Sequence, residues 1–241
     1  MHAKLVGVPG SHPCVSAELM LRYKGVEFSR LDLPNMSHKA ILPLLRYRSS
    51  TVPVMTLEGK RISGTMKIAR ALEHFVPRPT LFPESDRATI EGAEAWADSV
   101  LQDGVRQIAR YSVGHDREAM ASFLTAPVMK IPASTMRAIL PAIRPVVLLQ
   151  MRTSEETART CLAALPAQLD RVDALLAEGV IGGEQPNAAD FQVAPAVRLM
   201  LCFDQLAPYI EDRPAGRHAR AYVPEYPGRF REAFPAAWLP F

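Results

Sequence analysis

Cysteine is scarce, with Cys14, Cys161 and Cys202 the only three in 241 residues. Three thiols at those spacings make no disulfide framework and match no zinc pattern. No metal is therefore expected, and a reducing compartment, the cytoplasm, fits best. An excess of either charge is missing too. The net charge is only +3, and no basic run carries interleaved aromatics, so nothing argues for a nucleic-acid partner. Also absent is an apolar stretch of membrane length. The nearest, Ile131 to Met151, holds Arg137 and Arg144 and is broken by Pro132, Pro141 and Pro145. A bilayer would strand both charges, so no membrane span is expected and the segment reads as kinked helix and loop. The N-terminus begins a strand at once, without the basic-then-apolar pattern of a signal peptide. There is no internal repeat and no low-complexity tract.

What is present is globular. With 48% hydrophobic and 22% charged residues the chain can build a core, and its length asks for one large or two modest domains. Richness in Ala, Arg and Pro hints at a high-GC bacterial coding sequence.

The pattern changes once along the chain. Lys4 to Val8 reads as a strand buried on both faces, because its apolar run is continuous. A helix follows over Val15 to Lys24 and stops at Gly25. Glu27 to Leu31 reads as a second strand, with an alternation that slips at Arg30–Leu31. Ser37 is placed to cap a short helix, His38 to Arg46. Thr51–Leu57 and Lys60–Ile62, joined by Glu58-Gly59, read as a hairpin. Met66 to Phe75 is a helix. Pro77, Pro79 and Pro83 mark a break. After it only helices are expected: Ser85–Ser112, Arg117–Met129, Ser134–Met151, Ser154–Glu178, Ala188–Cys202, and one near Ala215–Tyr222. The first helix of this set is drawn from Ile90, Ala93, Trp96, Ala97, Val100, Leu101, Val105 and Ile108 at helical spacing. The boundaries are residues 1–76 for an α/β unit, 77–84 for a linker and 85–241 for an all-helical unit.

Three short stretches carry the chemistry. Gly10-Ser11-His12-Pro13-Cys14 joins the first strand to the first helix. Free N–H groups at such a helix start suit an anion, including a thiolate. Ser11-x-x-Cys14 has the form of a redox Cys-x-x-Cys turn whose first cysteine is serine. Val52-Pro53 puts a proline in a strand-like segment, which belongs at an edge or bend. A cis bond there turns the Val52 backbone outward, ready to pair with a peptide-like ligand. Ser63-Gly64-Thr65 opens a helix and forms a seat suited to a carboxylate, while also serving as an ordinary cap.

These stretches together resemble the glutathione transferases. Residues 1–83 are similar to the family's thioredoxin-like N-terminal domain through Ser11-His12-Pro13-Cys14, Val52-Pro53, Gly64-Thr65 and Leu81-Phe82-Pro83. The serine turn is most like that of the theta-type enzymes. Far along the chain, Asn187-Ala188-Ala189-Asp190 looks like the family's buried capping box, with Asp190 reaching back to the N–H of Asn187. The resemblance implies a βαβαββα unit with a mixed four-stranded sheet, followed by an all-α bundle. It also implies glutathione as co-substrate, a small electrophile and a homodimer, with detoxification as the broad role. Carried over by position, Ser11 would donate a hydrogen bond to the glutathione sulfur. Val52 would pair with the cysteinyl backbone beside a cis Pro53. Thr65 and the Gly64 backbone would hold the γ-glutamyl carboxylate, and His38 would meet the glycyl carboxylate. Two positions depart from the family's pattern. Gly64 stands where Glu or Gln is common, which removes a contact to the γ-glutamyl ammonium, and Thr51 stands where a basic residue is frequent.

A free thiol has a pKa near ~8.5, so only a few per cent is ionised at neutral pH. Lowering it by about two units takes roughly 2.7 kcal/mol. A hydroxyl donor to a charged acceptor contributes on the order of 1.5–3 kcal/mol, and a helix start roughly 0.3–1 kcal/mol. Ser11 at the first helix suffices without a general base. Cys14 is the rival nucleophile, for mixed-disulfide exchange. One turn into the helix, however, it is expected to face the core, where cysteine is inert. His12 is expected beside the glutathione site as an exposed turn histidine rather than a base. Cys161 and Cys202 are expected in helix cores. Trp96, Gln102, Arg106, Arg110 and Tyr111 are candidates for the electrophile pocket, against a reading in which the aromatics are core and the arginines solvated. Arg213, Arg217, His218 and Arg220 read as a solvated face. Glutathione-dependent reductase, isomerase or dehalogenase chemistry, and a non-catalytic transferase-like binding protein, stay open as alternatives.

Overall fold

The apolar run behind the Ser11 turn becomes the inner strand of a sheet. In the computed structural model, which describes residues 1–34, 37–124 and 153–241, strand β1 (His2–Gly7) lies between β2 (Glu27–Asp32) and β3 (Val54–Leu57). β4 (Lys60–Ser63) closes the order β2-β1-β3-β4. β1 and β2 run parallel, pairing His2 with Glu27 and Gly7 with Asp32, whereas β1–β3 and β3–β4 are antiparallel. β1 is buried at both faces only from Leu5 onward, since His2 and Lys4 are exposed. β2 alternates regularly through Asp32, one residue beyond the expected end. Two-residue turn geometry explains the hairpin: Glu58 and Gly59 both take positive φ, +47° and +73°.

Helix α1 (His12–Tyr23) begins three residues earlier than the sequence suggests, because Pro13 sits in its first turn, where no N–H is needed. α2 (His38–Leu44) is shorter than expected. Its Ser37 does not cap it: the Ser37 hydroxyl donates instead to Pro34 O at 2.7 Å. α3 (Thr65–Phe75) buries Thr65, Ile68, Ala69 and Leu72. The buried Lys24 anchors the chain leaving α3. Its ammonium pairs with Glu73 and donates to Val76 O at 2.7 Å and Pro79 O at 2.6 Å, so all three of its protons are taken.

The single helix expected from Ser85 to Ser112 is helical throughout but not uniform. A short 3-10 turn leads into α4 (Arg87–Trp96), a π-helical turn covers Ala97–Leu101, and α5 (Gln102–His115) continues from it. The π turn adds a residue to the repeat and rotates the face of everything after it. Val100, placed in the core by a 3.6 period, is therefore 42% exposed, while Ala97 and Leu101 are fully buried.

α6 (Arg117–Leu124), α7 (Glu155–Ala177), α8 (Ala188–Met200), the short α9 (Ala207–Ile210) and α10 (Pro214–Tyr222) complete the helices among the described residues. The expected helix at Ser134–Met151, and the end of the one at Arg117–Met129, lie outside those residues. α8 is the axis of the helical part. It buries every residue but Arg198, and α1, α4 and α10 all pack on it. Its start holds the capping box read from the sequence: Asn187 Oδ1 accepts from the Ala189 N–H at 2.9 Å, and Asp190 Oδ2 accepts from the Asn187 N–H at 2.9 Å. The fold is a thioredoxin-like α/β unit with a mixed four-stranded sheet, followed by an all-α bundle. Among the described residues no helix is long and apolar enough to cross a membrane, and no group of three or more His, Cys, Asp or Glu could hold a metal.

Candidate active site

Ser11 is the N-cap of α1, in extended conformation, and its half-buried hydroxyl makes no capping bond. Its carbonyl accepts from the N–H groups of Cys14 and Val15 at 3.0 and 3.1 Å. The side chain stands at the positive end of the helix, where the group it meets within the chain is the Cys14 thiol. Gly10, just before it, has φ +70°, and a Cβ there would come within 2.7 Å of the Phe123 ring. Glycine is needed twice over, for the left-handed backbone and for the ring packed on it. The Tyr226 hydroxyl donates to Gly10 O at 2.8 Å, so the C-terminal tail is bonded to the turn.

Cys14 is fully buried, its sulfur packed close against Gly7. Burial pushes its thiol above the ordinary value, with the hydrogen bond from the Ser11 hydroxyl the foremost effect the other way. A thiol in that position is a poor nucleophile. Cys202 is buried in the core as expected, in the turn just beyond α8, whereas Cys161 is only half-buried on α7.

His12 is not the exposed turn residue that its position suggests. It is 3% exposed, with the Gln102 backbone at the start of α5 beside it. Burial, reinforced by the Arg106 guanidinium and to a lesser degree by Arg110, lowers its pKa to about 3, while the Gln102 backbone carbonyl works against this. His12 is neutral at any working pH, and its Nε2 has no hydrogen-bond partner. His38, the first residue of α2, is half-buried, and its Nδ1 also lacks a partner. Burial depresses its pKa too, helped by Lys39 and again by Arg110.

The Val52–Pro53 bond is cis. Pro53 O accepts from the Gly64 N–H at 3.0 Å, tying the proline to the start of α3. Pairing within β3 begins only at Val54, which leaves the Val52 N–H and carbonyl outside the ladder. Gly64 caps α3 at φ +89°, with nothing within 4 Å of where its Cβ would be. Thr65 is 2% exposed, and its hydroxyl donates to Asp98 Oδ1 at 3.2 Å. Asp98 was not legible as a site residue. It comes from the π turn, thirty-three residues on, and no sequence spacing announces where that turn aims it.

Three of the electrophile-pocket candidates pack into the structure. Tyr111 stacks on His115 at 4.1 Å between ring centroids and contacts Phe234 and Trp238, on the side of α5 covered by the tail. Gln102 is fully buried, with its amide bonded to Gln192. Trp96 is partly buried against the core. Arg106 and Arg110 both act on the charge of His12. His218, read as part of a solvated face, is instead 8% exposed beside Asp190, and Arg213 is held by Asp170 and Asp173.

No protein-family model matches the sequence, and no curated protein does. Among solved structures the chain is similar to a glutathione-transferase-like protein from Pseudomonas syringae, at 22% identity and a TM-score of 0.59 over 94% of this chain and 68% of that one. It is similar to a glutathione S-transferase of Ceriporiopsis subvermispora in complex with glutathione, at 18% identity and 0.58 over 90% and 94%. It is also similar to the beta-etherase LigF from Sphingobium, at 15% and 0.58 over 92% and 100%. The fold is that of the glutathione transferases.

Proposed function

We propose that the chain is a cytoplasmic glutathione-dependent transferase, active as a homodimer, in which Ser11 stabilises the thiolate for attack on a small electrophile. The observation that carries this reading is the combination of a serine hydroxyl that makes no capping bond on a helix start, an unladdered Val52 beside a cis proline, and the start of α3 tied to that proline. Val52 would pair with the cysteinyl unit, the Thr65 N–H beside Gly64 would hold the γ-glutamyl carboxylate, and His38 would lie at the glycyl end. Asp98 bears on the family acid missing at Gly64. Its carboxylate, on the Thr65 hydroxyl, supplies a negative charge for the γ-glutamyl ammonium from another part of the chain. In the reaction the thiol proton leaves to solvent and the sulfur forms a bond to the electrophilic carbon. The bond from that carbon to its leaving group breaks, and the group departs with the electron pair. Ser11 donates to the sulfur until the new bond is made.

The test is calorimetric titration with glutathione, together with conjugation of 1-chloro-2,4-dinitrobenzene by Ser11→Ala and Cys14→Ala. Ser11→Ala is expected to lower kcat by about 10–100-fold, the value of one hydrogen bond to a charged sulfur, and Cys14→Ala to leave it near the wild type. Absence of glutathione binding at millimolar concentration, or loss of activity in Cys14→Ala alone, would overturn the assignment.

A further inference from the structure

The loop after α2 is fixed to the sheet by one buried residue. Tyr47 is 6% exposed, and its hydroxyl is hydrogen-bonded to the Thr56 hydroxyl at 2.7 Å. Its neighbours Arg46 and Arg48 are both exposed. Thr56 of β3 is in turn the ladder partner of Arg61 on the edge strand β4, and paired residues on adjacent strands point to the same face. Arginines from two segments are thereby held around one spot. Arg46, Arg48 and Arg61 line two grooves at once. One, of about 690 Å³, also carries Ser63 at the end of β4 and Lys67 and Arg70, which lie one turn apart on α3. The other, of about 650 Å³, also carries Lys39, Ser49 and Ser50.

Almost no carboxylate answers these charges. Among the described residues Lys39, Arg46, Arg48, Arg61 and Lys67 make no ion pair and no side-chain hydrogen bond, whereas Arg70 is held by Glu94 at 2.6 Å. The rest of the chain cannot make good the deficit. Residues 125–152 contain no Asp or Glu, and residues 35–36 are Asn and Met, so every acidic side chain lies among the described residues. Arg46 adds an independent sign. It closes α2 at φ +63°, in the left-handed region that favours glycine, with its N–H donating to Pro43 O at 2.9 Å. A strained arginine stands where glycine would fit without strain, and such strain collects at ligand sites.

These unanswered cations outnumber the charge of any single carboxylate. They fit a ligand whose charges come in close succession, and the guanidinium fork matches the paired oxygens of phosphate. Bases are not provided for. Tyr47 is the aromatic of these linings, and it is buried and bonded, so neither groove offers the stacking surface that single-stranded nucleic acid uses. The residues given above to glutathione line neither groove. We propose that the two grooves bind a chain of phosphate groups, an inorganic oligophosphate or the phosphate tail of a nucleotide, laid across Arg46, Arg48 and Arg61. This goes beyond the transferase reading and does not rest on it.

The experiment is calorimetric titration of the full chain with tripolyphosphate and with ATP, both free of divalent metal, against sulfate at matched ionic strength. Tripolyphosphate should bind about a hundredfold tighter than sulfate, from two or more charge-assisted hydrogen bonds, and should weaken with added salt. Tripolyphosphate at least equal to ATP marks the inorganic chain as the source, and tighter ATP marks a nucleotide tail. Arg48→Gln and Arg61→Gln should each weaken binding about tenfold, the value of one such bond. Lys60→Gln removes an equal charge from a side chain that lies over the Phe75 ring and outside both grooves. It should change binding by less than about twofold, since an exposed distant charge is screened. Arg46→Gly should weaken binding while the urea midpoint holds or rises, because glycine takes φ +63° freely. Affinity no better than that of sulfate overturns the proposal, as does wild-type affinity in Arg46→Gly. So does a loss in Lys60→Gln as large as in Arg61→Gln, which would be diffuse attraction. Displacement by glutathione also overturns it, because the grooves would then be part of the thiol seat. Failure of the transferase reading has a different signature: glutathione gives no heat and 1-chloro-2,4-dinitrobenzene does not react, while tripolyphosphate still binds.

Discussion

His12 holds its proton-free state down to about pH 3, and that has a sign for stability. The folded pKa lies below the ordinary value of 6.5, so on acidification protons bind the unfolded chain first. The contribution of His12 is complete above pH 6.5 and is lost as pH falls toward 3. Glu94 and Asp190, both raised by burial to about 6, act in the opposite direction, adding stability as pH falls through their range. The histidine is therefore read from a difference. Urea midpoints of the wild type and His12→Asn, taken from pH 7 down to pH 4, should diverge, with the variant the flatter of the two. Parallel curves would mean that His12 titrates normally. The sequence shows a histidine beside the serine. It does not show its burial, because the neighbours Gln102 and Arg106 belong to α5, some ninety positions later.

Asp190 is the clearest case of an element held by one side chain. Its carboxylate accepts from the Gly182 N–H at 2.7 Å and the Asn187 N–H at 2.9 Å, and both donors are otherwise unpaired at the start of α8. Asp190→Ala strands them in a helix that the bundle is packed around. The expected loss is about 2–6 kcal/mol, from two orphaned donors at roughly 1–3 kcal/mol each, measured by urea denaturation; a loss below about 1 kcal/mol would show that water replaces the carboxylate. This box was legible because its members lie three residues apart on one helix turn. The π turn between α4 and α5 was not. One inserted residue changes which side chains face inward, and apolar spacing alone could not separate an exposed Val100 from a buried Leu101.

The two ends of the chain meet at the Ser11 turn. Tyr226 on the tail bonds Gly10 O, and the Phe123 ring is wedged between Gly10 and Gly228, where an added Cβ would come within 2.7 and 2.4 Å of it. Tyr226→Phe removes one hydrogen bond and keeps the ring, so the stability cost should be about 1 kcal/mol. Amide hydrogen exchange at the Gly10–Ser11 turn should speed up at the same time. Unchanged exchange would mean that the tail does not brace the turn. What the sequence by itself determined was whatever is local: the strand–turn–helix around Ser11, the hairpin, the cap of α8, and through them the fold. What only the tertiary structure decided was which residues share a place. It brought Asp98 to Thr65 and Tyr226 to Gly10, and it set Tyr111 against His115, Phe234 and Trp238. The reason is physical: a backbone rule acts over one or two turns, whereas burial and charge act through space, between residues whose separation along the chain carries no signal.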